Sequence, residues 1–239
     1  LAGGKGTRLG DLARDTPKPL MPIEGGVRFL DYLIHNIARH RFEEIVLLAG
    51  HLANAFRERY EGRTVLGAAL HVVVEPAPAG TAGALTNVAD RLDDVFLMTN
   101  GDSIFDINYR ELAADLKENV EGVIALREVH DSGRFGRVDC AGNRITGFHE
   151  KDNSFHGAAF ISGGVYALRR SVLSRIRQTP CSLETNVFPE LARAGVLAGR
   201  KFTGYFLDIG LPETLNQARR ELPALLIGAA GAMQKTNDC

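Results

Sequence analysis

The chain has 239 residues, of which 45% are hydrophobic and 24% charged, and its formal net charge at pH 7 is −1. These values are typical of a globular protein with a substantial core, and they argue against a protein that binds nucleic acid by neutralising many phosphates. Three widely spaced cysteines without a C-x-x-C pair indicate reduced thiols, and no membrane span or signal peptide is predicted, so we expect a cytoplasmic protein without a membrane partner.

Hydrophobic periodicity predicts alternating helices and strands in the first half of the chain. In chain order these are a helix over 29–40, a strand over 45–49, a helix over 52–60, a strand over 70–74, a helix over 81–92 and a strand over 95–98. The alternation predicts an α/β fold, with a Rossmann-like mixed, mainly parallel sheet and helices on both of its faces. Ligands of such sheets bind at the carboxyl ends of the strands.

After a helix over 108–119 the pattern changes, because strands follow one another with few helices between them. These strands cover 123–126, 137–139, 144–150, 158–168 and 201–207. We expect them to form a small lid-like β layer over the open end of the sheet. A helix over 182–194, capped by Ser182 and stopped by Gly195, and a last helix from Pro212 follow from their capping residues.

The pattern as a whole predicts one domain over residues 1–222, with halves of about 1–120 and 121–222. A C-terminal tail at 223–239 is expected to fray. Leu1-Ala2 has the character of the last step of a strand, so we expect further strand residues and an initiator Met to precede it.

The opening segment carries clustered glycines followed by a threonine and an arginine, Gly3-Gly4-Lys5-Gly6-Thr7-Arg8. Backbone N–H groups of such a loop approach a phosphate without interference from Cβ atoms, and Arg8 adds a fork of donors. Lys18 follows between Pro17 and Pro19, which restrict the backbone that carries it. The spacing matches neither a P-loop nor the Gly-x-Gly-x-x-Gly dinucleotide fingerprint. The segment therefore predicts a different cradle for a polyphosphate.

These residues resemble the signature of the sugar-1-phosphate nucleotidylyltransferases, Gly-Gly-x-Gly-Thr-Arg-Leu followed by Pro-Lys-Pro. That family joins a nucleoside triphosphate to a sugar 1-phosphate and releases pyrophosphate. The resemblance implies that Arg8 and Lys18 are catalytic residues that stabilise the triphosphate and the transition state. It also implies a nucleotide-binding set, which consists of Leu1, Ala2, Gly3, Gly4, Gly6, Thr7, Glu75, Gly80, Thr81, Asn100 and Gly101.

Two aspartates follow apolar strands and have a glycine close by. They are Asp102 in Asn100-Gly101-Asp102 and Asp208 in Phe206-Leu207-Asp208-Ile209-Gly210. Attack on a triphosphate needs a divalent cation, and Mg²⁺ is held by one or two carboxylates together with substrate oxygens. The resemblance implies that Asp102 and Asp208 bind this metal.

Later strands resemble the sugar-binding parts of the family, which makes the β layer a sugar-binding lid. The resemblance implies a nucleotide-binding half of about 1–120 and a sugar-binding half of about 121–222. Glu150-Lys151 resembles a Glu-Lys pair whose glutamate contacts sugar hydroxyls and whose lysine binds the sugar phosphate. Lys151 is therefore the third catalytic residue, since a fixed cation offsets the repulsion between two phosphates. The segment 161–166 resembles an Asn-x-Gly-x-Tyr strand, with Ser162 in place of the asparagine and Gly163 beside it in the substrate site.

Gly80-Thr81-Ala82-Gly83 resembles the second glycine loop of the family, which packs against the nucleobase. Glu75 stands five residues earlier, where uridylyl and thymidylyl members tend to have glutamine. A carboxylate only accepts hydrogen bonds, which suits the adjacent N1–H and N2–H₂ donors of guanine. Glu75 therefore predicts GTP as the nucleotide.

Overall similarity is greatest to the branch that acts on D-glycero-α-D-manno-heptose 1-phosphate. Guanylyl transfer to mannose 1-phosphate and uridylyl or thymidylyl transfer stay open as alternatives. Two other classes also stay open: a glycosyltransferase, which the lack of an Asp-x-Asp motif at Asp102 disfavours, and a non-catalytic regulatory protein that binds nucleotide sugars. The sequence does not fix the oligomeric state, for which a homodimer is one option, and we expect no nucleic-acid partner.

Overall fold

The computed structural model describes residues 1–3, 9–10, 14–130, 135–149, 151–152 and 154–225. The chain divides into two compact units that interleave in sequence. The first contains Leu1–Pro78, Asn100–Ile104 and the chain from Leu207, and the second contains Ala79–Thr99 and Phe105–Phe206. The assignment of one function to each side of residue 120 stays a prediction.

The described strands, in chain order, are β1 (Pro22–Glu24), β2 (Val27–Arg28), β3 (Glu44–Ala49), β4 (Thr64–Val65), β5 (Ala68–Val74), β6 (Val95–Thr99), β7 (Ser103–Phe105), β8 (Gly122–Val129), β9 (Arg137–Ala141), β10 (Arg144–His149), β11 (Ala159–Arg169), β12 (Leu197–Phe202) and β13 (Phe206–Asp208). The described α-helices are α1 (Phe29–Ala38), α2 (Ala53–Tyr60), α3 (Gly80–Thr86), α4 (Tyr109–Ala114), α5 (Phe188–Ala194) and α6 (Pro212–Leu225). None of these helices combines the length and apolar character needed to cross a membrane.

The first unit is organised around a small sheet in the order β3-β5-β4. β3 and β5 are parallel, with Ile45 opposite Leu70, and β4 is antiparallel to β5. These strands are apolar and β-branched, as a buried parallel pair requires. Helix α1 confirms the helical periodicity of its sequence, and it buries Phe29 and Ile34 completely.

A buried carboxylate joins α1 to α2 in this unit. Asp31 is fully buried and accepts hydrogen bonds from the Arg28 N–H (2.7 Å), the Tyr60 hydroxyl (2.6 Å) and the Arg59 guanidinium, whose Nη2 lies 2.5 Å away. Burial and the Asp31 carboxylate raise the pKa of Tyr60 well above its usual value. Because the charge is paired and its oxygens have several donors, the cluster fastens α2 to the start of α1.

The second unit contains a six-stranded sheet in the order β6-β11-β8-β12-β10-β9. β8 and β12 are parallel, whereas the other described neighbours in this sheet are antiparallel. The predicted α/β fold with a mixed sheet is thus confirmed. Antiparallel pairs outnumber parallel pairs in this sheet, because β11 runs antiparallel to both β6 and β8 and the consecutive strands β9 and β10 pair directly.

Three of the predicted elements have boundaries that differ clearly from the observed ones. The single strand expected over 201–207 is wrong, because β12 ends at Phe202 and β13 begins at Phe206. Between them a β-carbon on Gly204 would collide with the Asp106 carbonyl oxygen, so the chain turns there at a position that only glycine fills. The helix expected over 81–92 ends at Thr86 and is followed by a 3₁₀ turn over Ala89–Arg91, and the helix expected over 108–119 ends at Ala114.

The predicted caps of the helix near residue 190 are confirmed. The Ser182 hydroxyl accepts from the Thr185 N–H (3.2 Å), and Gly195 ends α5 in the left-handed region with φ 74°. The first turns, Leu183–Val187, are π-helical before α5 begins. The predicted start of α6 at Pro212 is also confirmed, and α6 extends to Leu225, which is three residues into the expected tail.

Candidate active site

Leu1 and Ala2 lie between β3 and the turn at Gly101, within the first unit. The Ala2 N–H donates to the Leu48 carbonyl (2.8 Å), and the Gly101 N–H donates to the Leu1 carbonyl (2.7 Å). A β-carbon on Gly101 would lie 2.5 Å from the Leu1 carbonyl oxygen, so a larger residue would displace backbone. The fold therefore brings together four residues predicted to bind nucleotide, since Asn100 directly precedes Gly101.

The Glu75 carboxylate lies directly against Gly3. A β-carbon on Gly3 would be 2.7 Å from Oε1 of Glu75 and 3.3 Å from the backbone nitrogen of Gly50. The Glu75 N–H donates to the Ala49 carbonyl (2.8 Å), which extends the parallel pairing of β3 and β5 by one residue and orients Glu75. A half-buried hydrogen-bond acceptor is thus placed beside a backbone position that has no side chain of its own.

Lys18 and Asp102 form an ion pair in the same unit. The Lys18 Nζ lies 2.8 Å from Oδ2 of Asp102, and the two side chains are 16% and 32% exposed. Lys18 opens a 3₁₀ turn over Lys18–Leu20, with Pro17 before it and buried Pro19 after it, so its backbone is well defined. The sequence predicts separate partners for these two side chains, a triphosphate and a metal, but not their mutual pairing.

Asp208 lies on a chain segment next to that of Asp102. The Ile209 N–H donates to the Asp102 backbone carbonyl (2.9 Å), and the Asp208 Oδ1 accepts from the Gly210 N–H (2.9 Å). Both aspartates are partly exposed. A β-carbon on Gly210 would lie 2.6 Å from Oδ1 of Asp208, so glycine permits the tight turn that holds this carboxylate.

These two carboxylates suit a hard divalent cation that is completed by ligand oxygens. Within the described ranges, no three His, Cys, Asp or Glu side chains are grouped as a metal site. Mg²⁺ does not require such a cage, because it keeps water and substrate oxygens in its coordination sphere and uses one or two carboxylates. The donor chemistry of Asp102 and Asp208 therefore fits Mg²⁺, with Lys18 as a competing cation at Asp102.

Several predicted site residues lie outside the described residues. They are Gly4, Gly6, Thr7, Arg8 and Glu150. Their roles in phosphate and sugar binding stay predictions. Lys151 is described and exposed.

The predicted nucleobase loop packs, within the second unit, against the segment before α5. Gly80 has φ 78°, and a β-carbon there would collide with the Cys181 carbonyl, which accepts from the Ala82 and Gly83 N–H groups (2.9 and 3.1 Å). The Thr81 hydroxyl accepts from the Leu183 N–H (2.8 Å). The glycines of this loop are thus explained by close backbone packing, while a role in nucleotide binding stays a prediction.

A hydrogen-bonded array links this loop to the predicted sugar strand β11. The Thr81 hydroxyl donates to Oε2 of Glu184 (2.7 Å), and the Tyr166 hydroxyl donates to Oε1 (3.4 Å). Ser162 in turn donates to the Tyr166 hydroxyl (3.2 Å). On the same strand a β-carbon on Gly163 would collide with the Phe105 ring, so packing alone requires glycine there.

Sequence reasoning missed Glu184 and the part played by Tyr166. A glutamate in the first turn after a serine cap is typical of any helix start, because it complements the helix dipole. Its sequence position therefore carried no functional signal. Only the fold brings it to Thr81, 103 positions away in the chain.

With this geometry in place, comparison with known proteins defines the class of the protein. The chain belongs to the nucleotidyl transferase family, whose profile matches residues 1–224. The predicted family is confirmed by this match and by individual relatives. The mannose-1-phosphate guanylyltransferase of Mycobacterium tuberculosis is 32% identical over 228 residues, which are 93% of this chain and 63% of that protein.

Two further relatives match this chain over nearly their whole length. The D-glycero-alpha-D-manno-heptose 1-phosphate guanylyltransferase of Aneurinibacillus thermoaerophilus is 26% identical over 93% of this chain and 96% of its own. The crystal structure of HddC from Yersinia pseudotuberculosis has a TM-score of 0.82 and is 26% identical, covering 92% of this chain and 96% of that one. HddC has also been solved in complex with GMP-PN. The chain spans only about three fifths of the length of the mannose-1-phosphate guanylyltransferase of M. tuberculosis and the mannose-1-phosphate guanyltransferase of Neurospora crassa, 63% and 60% respectively.

Proposed function

We propose that this protein transfers a guanylyl group from GTP to a sugar 1-phosphate, and that the sugar is D-glycero-α-D-manno-heptose. An oxygen of the sugar phosphate attacks the α-phosphorus of GTP, the bond to the β-phosphate oxygen breaks, and GDP-sugar and pyrophosphate are formed. No general base is needed, because the attacking phosphate is already ionised. The observation that carries the proposal is the Glu75 carboxylate fixed against Gly3, in the same unit as the Lys18–Asp102 pair.

Glu75 supports guanine as the base. The pairing of β3 and β5 positions its backbone, and its Oε1 lies beside Gly3. A carboxylate accepts from both Watson–Crick donors of guanine, whereas a uracil or thymine edge presents an acceptor on each side of its N3–H. The HddC complex with GMP-PN agrees with this choice.

Different basic side chains would bind the triphosphate and the sugar phosphate. Lys18 and Arg8 would bind the triphosphate and the charge that develops on leaving pyrophosphate, and Lys151 would bind the sugar phosphate. Asp102 and Asp208 would hold Mg²⁺, which when bound neutralises negative charge along the triphosphate. A bound triphosphate would give the Lys18 ammonium a new anionic partner, and the Asp102 carboxylate would then be able to act as a metal ligand.

Mannose 1-phosphate is the second candidate substrate, since relatives named for it reach 32% identity. The heptose is supported by the similarity to the D-glycero-alpha-D-manno-heptose 1-phosphate guanylyltransferase of A. thermoaerophilus, which is 26% identical. Cytoplasmic location and a homodimer stay predictions.

The proposal is tested by measuring pyrophosphate release with GTP, UTP and dTTP, each against manno-heptose, mannose and glucose 1-phosphates, with and without Mg²⁺. We expect the highest kcat/KM for GTP with the heptose substrate. Higher kcat/KM with UTP or dTTP would overturn the guanine assignment. Binding of nucleotide sugars without any pyrophosphate release would instead support a regulatory protein.

A further inference from the structure

The hydrogen bonds around Glu184 run in one direction, from hydroxyl donors to the carboxylate. Each of these hydroxyl oxygens also accepts a hydrogen bond from another group. The Thr81 oxygen accepts from the Leu183 N–H (2.8 Å), and the Ser182 oxygen accepts from the Thr185 N–H (3.2 Å). Their protons therefore point to Oε2 of Glu184, at 2.7 and 2.9 Å. A carboxylate without a proton is the one side chain of this size that accepts from every direction.

The other carboxylate oxygen of Glu184 accepts the first of a series of hydrogen bonds that leads to the predicted sugar strand. Tyr166 is 1% exposed, packs with its ring centroid 5.0 Å from that of Phe188, and donates to Oε1 of Glu184 (3.4 Å). The Tyr166 oxygen accepts from the Ser162 hydroxyl (3.2 Å), and the Ser162 oxygen accepts from the Gly164 N–H (3.3 Å). The Ser162 proton therefore points to Tyr166, and one Ser162 lone pair is left to accept a further proton.

We propose that Glu184 is a positioning residue for the sugar 1-phosphate. Through Tyr166, Glu184 keeps Ser162 a hydrogen-bond acceptor toward a sugar hydroxyl. This inference rests on the proposed function, because it takes Ser162 to be in the sugar site. Glu184 does not itself touch the substrate in this scheme. Its charge sets which way the protons of Tyr166 and Ser162 point.

Glu184→Gln keeps the shape of the side chain and tests the direction of the hydrogen bonds that involve Tyr166 and Ser162. The amide oxygen will face the two donors Thr81 and Ser182, so the amide NH₂ will face Tyr166 and donate to it. Tyr166 will then donate to Ser162, and the Ser162 proton will turn toward the sugar hydroxyl that it formerly accepted from. Because the sugar hydroxyl must give up its donation to Ser162, KM for the sugar 1-phosphate should rise about tenfold, with KM for GTP changed less than threefold.

Tyr166→Phe removes the hydroxyl that links Glu184 to Ser162 and supplies a second, conservative variant. In the double variant the effects on KM for the sugar 1-phosphate should be far from multiplicative, because among the described residues the hydrogen bonds from Glu184 to Ser162 run through Tyr166. Glu190→Gln is the matched control, since Glu190 lies on α5 and pairs with Arg175 (3.1 Å), and it should leave KM unchanged.

Calorimetric binding of the sugar 1-phosphate gives a readout independent of turnover. A Glu184→Gln protein with wild-type affinity for the sugar 1-phosphate, or multiplicative effects of Glu184→Gln and Tyr166→Phe, would overturn the inference. If Glu184→Gln fails to fold, Tyr166→Phe alone decides, and unchanged affinity in that variant overturns the inference. Wild-type protein that binds the sugar phosphate but releases no pyrophosphate would refute the proposed function, while the comparison of affinities still tests Glu184.

Discussion

Replacing Lys18 with methionine separates the catalytic role of its charge from the structural role of its ion pair. Methionine keeps most of the length and volume of the side chain and removes the ammonium group. The Lys18 Nζ lies 2.8 Å from the Asp102 Oδ2, and the carboxylate is 32% exposed. The variant therefore leaves an acidic group without this cation but with access to water.

The expected loss of stability is small in relation to the bare attraction. Two unit charges 2.8 Å apart attract by about 6 kcal/mol at an effective dielectric constant of about 20. Most of this is offset, since both groups are better hydrated when the pair is absent, and a partly exposed charged hydrogen bond contributes about 1–2 kcal/mol net. For a protein of this size the melting temperature should fall by roughly 2–8 °C.

The expected loss of activity is much larger. If Lys18 stabilises charge that develops on the triphosphate, its removal should lower kcat by about 10²–10³-fold, as for the loss of one preorganised donor to a developing oxyanion. The measurement is pyrophosphate release at saturating GTP and sugar 1-phosphate, with melting temperature followed in parallel. Lys117→Met, at an exposed position, controls for the loss of a lysine and should behave as wild type.

Metal binding without nucleotide provides the sharper test of the same pair. Because the ammonium competes with a cation for Asp102, Lys18→Met should bind Mn²⁺ more tightly than wild type, by about tenfold, when followed by electron paramagnetic resonance. A kcat within threefold of wild type would refute the catalytic role of Lys18. Unchanged Mn²⁺ affinity would refute the competition at Asp102.

Three further predictions address other parts of the first unit. Glu75→Gln should lower kcat/KM for GTP about 10–100-fold, because one guanine donor loses its acceptor. Glu58→Gln, at an exposed position, is the control and should leave kcat/KM unchanged. An equal loss of kcat/KM with UTP would contradict recognition of the base by Glu75. Asp208→Asn should raise the Mg²⁺ concentration for half-maximal activity at least tenfold without changing KM for GTP measured at saturating metal; an unchanged Mg²⁺ requirement would exclude Asp208 as a ligand. Asp31→Asn should destabilise the protein by about 2–4 kcal/mol in urea unfolding, since it breaks the buried pair with Arg59; a change below about 0.5 kcal/mol would show that the cluster is only local.

Local patterns in the sequence predicted those elements that local forces determine. The period of α1, the apolar runs of β3 and β5 and the caps at Ser182 and Gly195 are each specified within a few residues. The boundaries that were wrong depend on distant contacts. The break between β12 and β13 arises where Gly204 meets the carbonyl of Asp106, and no pattern near residue 204 announces that approach.

The same distinction holds for the candidate site. Motifs identified Lys18, Asp102 and Glu75 individually, because residue type and spacing carry their chemistry. Their mutual arrangement depends on chain segments that are far apart in sequence, such as the 84 positions between Lys18 and Asp102. Glu184 has no motif of its own, and its importance rests on the three hydroxyls that the fold directs to it.

The negative charges of Glu184 and Asp102 have different roles in the two units. Around Glu184 the carboxylate is satisfied by internal donors, so its value to the protein lies in fixing proton directions that a neutral amide would reverse. At Asp102 the partner is the Lys18 ammonium and the carboxylate is 32% exposed, so we expect the pair to separate when a polyphosphate and a cation bind. Within the first unit the neutralised Lys18–Asp102 pair limits repulsion among charged groups before a ligand binds, and within the second unit the array around Glu184 keeps the hydrogen-bond directions of its hydroxyls fixed.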